Sequence, residues 1–392
     1  MHMNQKSRLG LAAAVVAVMV LLVAVFGYRE RPGTAAGAES PWLPELKRQL
    51  GELRRLRLQS SAETVTLARG DGGWVVEERD GYPADFRQLE TLLEALASAR
   101  LVEQKTARPE FFDRLGLVDI EQPDSEAVQL EIWNAGAEPF VRVLLGKAAE
   151  GRGGRYVRAV SGQQTWLIDT SPDPMTSPAD WLERKLVEVD FSRVASVSRA
   201  LGGKPEFSAA RAIAGDAPLA VAVLPAGKAP RYQSVFDAAA RAILTAQPED
   251  VRRASELDFT GAAETVIGCF DGLQLTVRAI KAKDGNWVAL VAATGEPVPR
   301  ADEPATELAS DEELAPAQDV ADAKPADGAA EAERLNRRLD GWAFKVSDYV
   351  YGELAKGLGD YVQDEQPAAA AAGTANREPQ AQADRDTESH DE

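Results

Sequence analysis

The chain has 392 residues, a formal net charge of -18, one cysteine and two histidines. The acidic balance at first suggests a chain that repels nucleic acid and other polyanions, and we expect no nucleic-acid partner. Most of this charge lies in two stretches, however, and the folded body is nearly neutral. Cys269 has no second cysteine with which to form an intramolecular disulfide. His2 and His390 lie near the two termini, so the body lacks the histidine of a Ser-His-Asp triad, a Cys-His dyad or a histidine-ligated zinc site. We therefore predict no catalytic residue, no metal site and no cofactor, and expect that the protein is not an enzyme.

An uncharged apolar run from Leu9 to Tyr28 follows a short basic tail that contains Lys6 and Arg8. At about 1.5 Å per helical residue, this run spans roughly the 30 Å hydrocarbon core of a bilayer. It predicts one transmembrane helix that fixes the protein in the lipid bilayer. A cleaved signal peptide is the alternative, because Ala36 and Ala38 form a small-x-small site.

The anchor divides the start of the chain into a cytoplasmic tail (1–8), the transmembrane helix (9–28) and a juxtamembrane segment (29–52). The charges on the two flanks do not decide the orientation. The short tail favours a body on the periplasmic, extracytoplasmic side of the inner (cytoplasmic) membrane. A basic cluster follows in the juxtamembrane region and just beyond it, where it could contact anionic headgroups or form a solvated face. Its residues are Lys47, Arg48, Arg54, Arg55 and Arg57.

The first half of the body, residues 53–192, shows apolar and polar residues in alternation, which is typical of strands. Strands are predicted at 53–59, 64–69, 74–77, 128–133, 140–145, 156–160 and 165–168. Between the third and fourth strands, apolar residues recur at helical spacing and predict an amphipathic helix. Those residues are Phe86, Leu89, Leu92, Leu93, Leu96 and Leu101. A second helix is expected at 179–187, with Ser177 as its cap and Pro178 at its first position.

The second half, residues 193–362, repeats this order, which indicates an internal duplication. Strands are predicted at 194–199, 206–211, 219–224, 265–270, 273–280, 287–291 and 342–346, and helices at 235–244 and 349–362. The fold class is therefore α+β, with two similar halves, each an antiparallel strand-rich sheet packed with helices.

Two acidic stretches carry most of the net charge. Residues 301–331 hold ten acidic residues and one basic residue, and residues 363–392 hold eight and two. Both are rich in alanine and proline and contain no aromatic residue, so they bury too little apolar surface to offset chain entropy. We predict a disordered insertion at 297–331, within a loop of the second half, and a disordered tail at 363–392.

Several packing and turn residues carry a family resemblance. They are Gly73 and Trp74, the segment 111–117 (Phe-Phe-Asp-Arg-Leu-Gly-Leu), Gly146 at a strand end, and Trp181. In this order and behind an N-terminal anchor, residues 53–362 resemble the bacterial membrane-anchored proteins of the domain of unknown function 4340 (DUF4340) family. The resemblance implies genes encoded beside gliding-motility-type ABC transporter genes, ABC transporter subunits as membrane-protein partners, and an accessory role in the cell envelope. The long acidic insertion and tail depart from the family pattern.

Three local features have a functional and a structural interpretation. Residues 151–155 (Gly-Arg-Gly-Gly-Arg) resemble an anion cradle, but we interpret them as a hairpin turn, because the lysine and hydroxyl of a P-loop are missing. Asp169, Asp173 and Asp180 do not have the spacing of a calcium loop, which favours capping or solvation. Core packing is the default for the tryptophans on predicted strands. These are Trp74, Trp133, Trp166 and Trp287.

We therefore expect an accessory or structural envelope protein that binds partner membrane proteins through the cleft between its halves or an exposed strand edge. The alternative is a binding module for a lipid or glycan, which an apolar groove lined by tryptophans would favour. A hydrolase that acts through carboxylates alone would need two body carboxylates in one pocket with pKa values pushed apart.

Overall fold

The computed structural model describes residues 40–151, 153–213, 215, 217–297 and 328–365. The predicted tail 1–8 and anchor 9–28 lie outside these residues, as do residues 29–39 of the juxtamembrane segment and most of the acidic insertion and tail. Within the described part of the chain, no helix is long and apolar enough to cross a membrane.

Nine strands form the first sheet, and every neighbouring pair is antiparallel. They are β1 (Arg55–Gln59), β2 (Thr64–Gly70), β3 (Gly73–Val76), β4 (Tyr82–Pro83), β5 (Leu101–Gln104), β6 (Val128–Trp133), β7 (Val141–Ala148), β8 (Arg155–Ala159) and β9 (Thr165–Ile168). Across the sheet their order is β4-β3-β2-β1-β6-β7-β8-β9-β5. In β1 the alternating sequence pattern places Leu56 and Leu58 on the core side, where both are fully buried.

Three α-helices accompany this sheet: α1 (Pro44–Gln49), α2 (Phe86–Ser98) and α3 (Phe112–Leu115). The predicted amphipathic helix is confirmed as α2, which buries Leu89, Leu92 and Leu96 and begins behind the Asp85 cap. Leu101 lies outside this helix, because the chain turns to extended backbone after Ser98 and enters β5. Residues 40–52, predicted as juxtamembrane, belong to the folded body, where Leu46 of α1 is fully buried.

Eight strands form the second sheet, again with antiparallel neighbours. They are β10 (Val194–Leu201), β11 (Lys204–Ala210), β12 (Ala220–Val221), β14 (Asp250–Arg253), β15 (Ala263–Cys269), β16 (Leu273–Ala282), β17 (Gly285–Thr294) and β18 (Trp342–Val346). Their order is β12-β11-β10-β15-β16-β17-β18-β14. A separate ribbon pairs β13 (Lys228–Pro230) with β19 (Val362–Asp364), so the first residues of the predicted disordered tail form a strand.

Four helices pack on the second sheet: α4 (Asp237–Leu244), α5 (Gly328–Leu339), α6 (Asp348–Ala355) and α7 (Leu358–Tyr361). The single closing helix predicted at 349–362 is wrong, because Lys356 adopts extended backbone and separates α6 from α7. The predicted end of the insertion at residue 331 is also wrong. Residues 328–331 form the first turn of α5, whose Glu331, Leu335 and Leu339 are buried.

The helix predicted at 179–187 is replaced by a 3₁₀ turn, Pro178–Trp181, followed by extended chain. The physical reason is pairing with the edge of the first sheet. Asp85 N–H donates to the Trp181 carbonyl at 2.7 Å, and Glu183 N–H donates to the Pro83 carbonyl at 3.1 Å. These bonds satisfy the backbone without a helix.

One continuous apolar core joins the two sheets. The fully buried Tyr82 of β4 packs edge-on against Trp342 and Phe344 of β18, with ring centroids 5.1 and 5.8 Å apart. Beside it, Arg79 Nε lies 2.5 Å from Asp250 Oδ1 and Arg79 Nη2 lies 3.1 Å from Asp250 Oδ2. The two halves therefore form one body, and the α+β class with large antiparallel sheets is confirmed.

Candidate functional site

The segment 111–117, which carries much of the family resemblance, packs on the outer face of the first sheet. Phe112 and Leu117 form a small second core with Ile120, Ala127 and Leu144. This packing is so close at β7 that a Cβ atom placed on Gly146 would lie 2.3 Å from the Leu115 carbonyl oxygen. Gly146 is therefore required by a backbone contact and not by chemistry at a site.

Arg158 of β8 fastens the same segment to the sheet. Its side chain is 4% exposed, donates to the carbonyls of Leu117 at 3.1 Å and Gly162 at 2.9 Å, and forms an ion pair with Asp119. The guanidinium carbon lies 4.7 Å from the ring centre of Phe112. We did not single out Arg158 from sequence, although an arginine within a strand of otherwise apolar inward residues was an available signal.

The glycine-rich stretch 151–155 lies in the connection between β7 and β8, as predicted for a hairpin turn. Gly151, Gly153 and Gly154 have positive φ values, and at Gly154 an added Cβ would lie 2.0 Å from the Ile168 carbonyl oxygen. Arg155 Nη1 donates to the Gly146 carbonyl at 2.5 Å. These contacts give the stretch a structural role.

The three aspartates of the proline-rich turn have separate neighbours. Asp169 accepts a hydrogen bond from Arg100 N–H at 2.7 Å, and Asp180 pairs with Arg184 at 3.2 Å. Asp173 contributes electrostatically at Arg155, whose pKa is lowered chiefly by burial. In the part of the chain that the structure describes, no group of three or more His, Cys, Asp or Glu side chains is arranged to hold a metal ion.

The tryptophans predicted on strands do not line a shared groove. Trp287 is buried beneath Arg252, whose guanidinium carbon lies 3.9 Å from the ring centre. Trp74 and Trp166 pack against the main core. Trp133 is half-buried and lies under Arg57, 5.4 Å from its ring centre. These tryptophans pack in or against the core, and arginine guanidinium groups lie over the rings of Trp133 and Trp287.

The basic cluster predicted near the membrane is largely paired with carboxylates. Arg48 pairs with Glu45, and Arg55 pairs with Glu77 at 2.6 Å. Arg57 Nε donates to the buried Glu131 at 2.8 Å. This pairing favours the interpretation as a solvated face over that of a headgroup site.

The pKa values of Glu188 and Asp190 are lowered, which is the opposite of what a general acid needs. A hydrogen bond from Lys185 lowers the pKa of Glu188, and hydrogen bonds from Ser192 lower the pKa of Asp190. A carboxylic acid that donates a proton near neutral pH needs a raised pKa instead. At the lone cysteine, burial raises the pKa of the Cys269 thiol to about 12, which leaves it protonated and unreactive.

Three cavities among the described residues have volumes of about 290–360 Å³ and mixed polar and apolar linings. One of about 290 Å³ lies at the family segment and includes Asp113, Asp124 and Glu126. One of about 360 Å³ lies on β10, β11 and β15 and includes Ser198, Glu206 and Glu264. A third, of about 320 Å³, lies between α5 and the segment that links the two sheets. The cavity on β10, β11 and β15 also includes Ala200, Pro205, Phe207 and Val266. No tryptophan lines any of the three, so none is the tryptophan-lined groove that would favour a lipid or glycan module.

The terminal strands of the two sheets differ in how they are covered. At β14, Asp250 pairs with Arg79, and Arg253 donates to the Asp80 carbonyl at 2.9 Å, so the first half covers this edge. At β4, the bridge from Ala84 to Leu182 continues the sheet. At β5, the preceding chain covers the start of the strand, because Pro41 bridges Arg100 and Leu101 N–H donates to the Ser40 carbonyl at 3.0 Å. The last three residues of β5 are exposed, and Val102 is 45% exposed. This strand is the strongest candidate for an interaction edge.

These observations define an α+β protein of two antiparallel sheets, in which the segments 111–117 and 151–155 have packing roles and exposed side chains lie at the end of β5. Residues 74–264, from β3 into β15, match the family model described as Domain of unknown function (DUF4340), so the chain contains a DUF4340 domain. No curated protein and no solved structure matches the chain.

Proposed function

We propose that this chain is a membrane-anchored extracytoplasmic accessory protein whose body binds a partner membrane protein through the edge of β5. The observation that carries the proposal is that β5 ends the first sheet with three exposed residues, among them Val102. A terminal strand offers backbone donors and acceptors to an extended segment of a partner, which adds to the sheet as a further strand.

The position of β5 in the chain supports a partner in the membrane. Leu101 N–H donates to the Ser40 carbonyl at 3.0 Å, and Trp42 N–H donates to the Ala99 carbonyl at 2.8 Å, so β5 is held beside Ser40. Eleven residues, 29–39, lie between the predicted anchor and Ser40. At about 3.3–3.6 Å per extended residue they reach at most roughly 40 Å. The β5 edge is thus within reach of an integral membrane protein beside the anchor.

The identity of the partner, a subunit of an ABC-type transport system, rests on the family resemblance. The alternative, a module for a lipid or glycan, has less support from the body. Trp181, Trp287 and Trp342 are buried. Of the half-buried tryptophans, Trp74, Trp133 and Trp166 lie on different strands, and Trp42 precedes α1.

An internal duplication explains how one sequence builds two sheets. The order β3-β2-β1-β6-β7-β8-β9-β5 of the first sheet has the same connectivity as β12-β11-β10-β15-β16-β17-β18-β14 of the second. In each half a helix, α2 or α4, precedes the strand that crosses to the far edge. Under this proposal β5 and β14 are equivalent. The first half covers the β14 edge of the second half, whereas under this proposal the end of β5 beyond Leu101 receives the partner.

The test is extraction of the tagged full-length protein from its native membrane in mild detergent, followed by identification of the proteins that copurify. We expect stoichiometric recovery of an ABC-type transporter subunit. Val102→Glu places a charge on the β5 edge and should abolish that recovery. Val291→Glu is the matched control, because Val291 is 49% exposed on a strand of the other sheet.

Recovery of the wild-type protein alone would contradict the proposal. So would equal loss of the transporter subunit in both variants, because that result would trace the loss to added charge and not to the edge. The anchor is tested separately: the protein should stay in the membrane fraction after alkaline washing, and its release would indicate a cleaved signal peptide.

A further inference from the structure

One face of α5 borders the 320 Å³ cavity at the junction of the two halves. Four residues of this helix line the cavity, spaced three, four and seven positions from the first, which places them on one helical face. They are Glu331, Arg334, Leu335 and Arg338. Glu188, from the segment that links the two sheets, completes the lining.

The two carboxylates of this lining are bound by cations that do not line the cavity. Glu188 receives a hydrogen bond from Lys185 Nζ at 2.8 Å. Glu331 receives one from Arg193 Nη2 at 2.5 Å, and Arg193 also binds Asp271 through two bonds of 2.6 and 2.9 Å. Burial alone would lower the pKa of Arg193, but its hydrogen bonds with Glu331 and Asp271 raise it, so this network stays charged.

The two arginines of the lining, Arg334 and Arg338, form no ion pair with a carboxylate among the described residues. Arg338 donates through Nη2 to the Leu186 carbonyl, while its Nε is buried and has no hydrogen-bond partner. Arg334 is exposed at the cavity rim, one helical turn away. With neither arginine of the lining in an ion pair among the described residues, an oxyanion supplies acceptors in the planar geometry that guanidinium groups match.

We propose that this cavity binds a phosphate group between Arg334 and Arg338. Two arginines on successive turns of one helix can hold two oxygens of the same phosphate, while Glu188 and Glu331 are neutralised from behind by Lys185 and Arg193. The cavity joins α5 of the second half to the linking segment, so a bound phosphate bridges the two. The phosphate is either free in solution or part of a lipid headgroup, since both present the same oxygens.

The test is titration of purified full-length protein with sodium phosphate by isothermal calorimetry, with sodium chloride at equal ionic strength as the reference. We expect saturable binding of one phosphate per chain. Arg334→Gln should weaken it at least about tenfold, since a charge-assisted hydrogen bond contributes about 1.5–3 kcal/mol. Arg337→Gln should change it by less than about twofold, because Arg337 lies on the same helix outside the cavity lining.

Arg334→Gln leaves an exposed side chain of similar size, so both variants should fold and melt like the wild type. An absence of saturable phosphate binding would overturn the proposal. Equal weakening by the two substitutions would also overturn it, because that result indicates nonspecific attraction to a basic helix.

The source of the phosphate is distinguished by embedding the full-length protein in nanodiscs. If headgroups occupy the cavity, the affinity for inorganic phosphate is lower in phospholipid nanodiscs than in dodecyl maltoside micelles, which contain no phosphate, and Arg334→Gln removes the difference. If free phosphate is the ligand, the two affinities are equal. Both results support the site, whereas a difference that persists in Arg334→Gln contradicts the headgroup as its ligand.

Discussion

At the residue scale, close packing explains why the family segment needs glycine at position 146. Gly146→Ala would place a methyl group 2.3 Å from the Leu115 carbonyl oxygen and 2.8 Å from Leu117 Cγ. Overpacking of this kind costs about 1–3 kcal/mol, and here we expect the upper end, because backbone must move. The measurement is thermal unfolding of the purified variant, in which the midpoint should fall by several degrees.

Gly162→Ala is the control for this substitution. Its added Cβ would lie 3.6 Å from the nearest atom, which is ordinary contact. The midpoint should stay within about one degree of the wild type. A Gly146→Ala variant as stable as Gly162→Ala would show that the segment 111–117 does not pack on β7 as described.

A second residue-scale prediction concerns the thiol of Cys269. Burial raises its pKa to about 12, whereas an unfolded cysteine titrates near about 8.5. The contribution of this thiol to stability is therefore full below about pH 8.5 and is lost as pH rises toward 12. Ellman's reagent at pH 8 should label the native protein far more slowly than the denatured protein. Equal labelling rates would show that Cys269 is exposed.

At the element scale, the sequence predicted strands that alternate and missed elements that depend on distant partners. The patterns of β1 and β16 follow a period of two, because one face of each strand meets the core. The edge strands β5 and β14 lack this pattern and were not predicted. Their residues face solvent or the other half, which local sequence does not record.

Helix α5 shows why the predicted insertion ends at residue 331, although the helix begins at Gly328. Its first turn, residues 328–331, is rich in alanine and ends in Glu331 like the acidic stretch before it, so the composition gave no separate signal there. Its boundary is set by tertiary contacts, since Glu331 binds Arg193 and Gly328 lies against the Asp271 carbonyl. The same dependence on distant contacts hid the candidate phosphate site, because Arg334 and Arg338 meet Glu188 only after folding.

These contacts predict different outcomes for two deletions. Pro297 and Gly328 both lie against Gly272, so the ends of the insertion are adjacent and three residues can join them. Deletion of 301–327 should therefore leave the unfolding midpoint nearly unchanged. Deletion of 301–331 also removes the first turn of α5 and should cost at least about 1 kcal/mol, because Arg193 loses a charged partner.

Circular dichroism melts of both deletion variants measure the difference. Glu331→Gln in the full chain is the matched control, since it removes the charge and keeps the turn. If deletion of 301–327 destabilised the protein as much as the longer deletion, the insertion would be part of the folded body, contrary to our account.

At the scale of the whole molecule, the shared core predicts one cooperative unfolding transition. Tyr82 of the first half is fully buried against Trp342 and Phe344 of the second, and its hydroxyl donates to the Glu183 carbonyl at 3.3 Å. Tyr82→Ala should cost about 3–5 kcal/mol and lower the stability of both halves together. Tyr349→Ala is the control, because Tyr349 is 68% exposed.

Two probes decide whether the halves unfold together. Tryptophan fluorescence reports on both sheets, and hydrogen exchange separates the amides of β6 from those of β16. Parallel loss of protection in β6 and β16 supports one body. Loss confined to β6 in Tyr82→Ala would show that the halves are independent.

The most direct test of the proposed function is site-specific photo-crosslinking in native membranes. A photoreactive amino acid placed at position 102, on the β5 edge, should crosslink an ABC-type transporter subunit. The same residue at position 291, on the second sheet, should not. Crosslinks from both positions, none from position 102, or crosslinks from position 102 only to a second copy of this chain would contradict binding of a membrane partner at this edge.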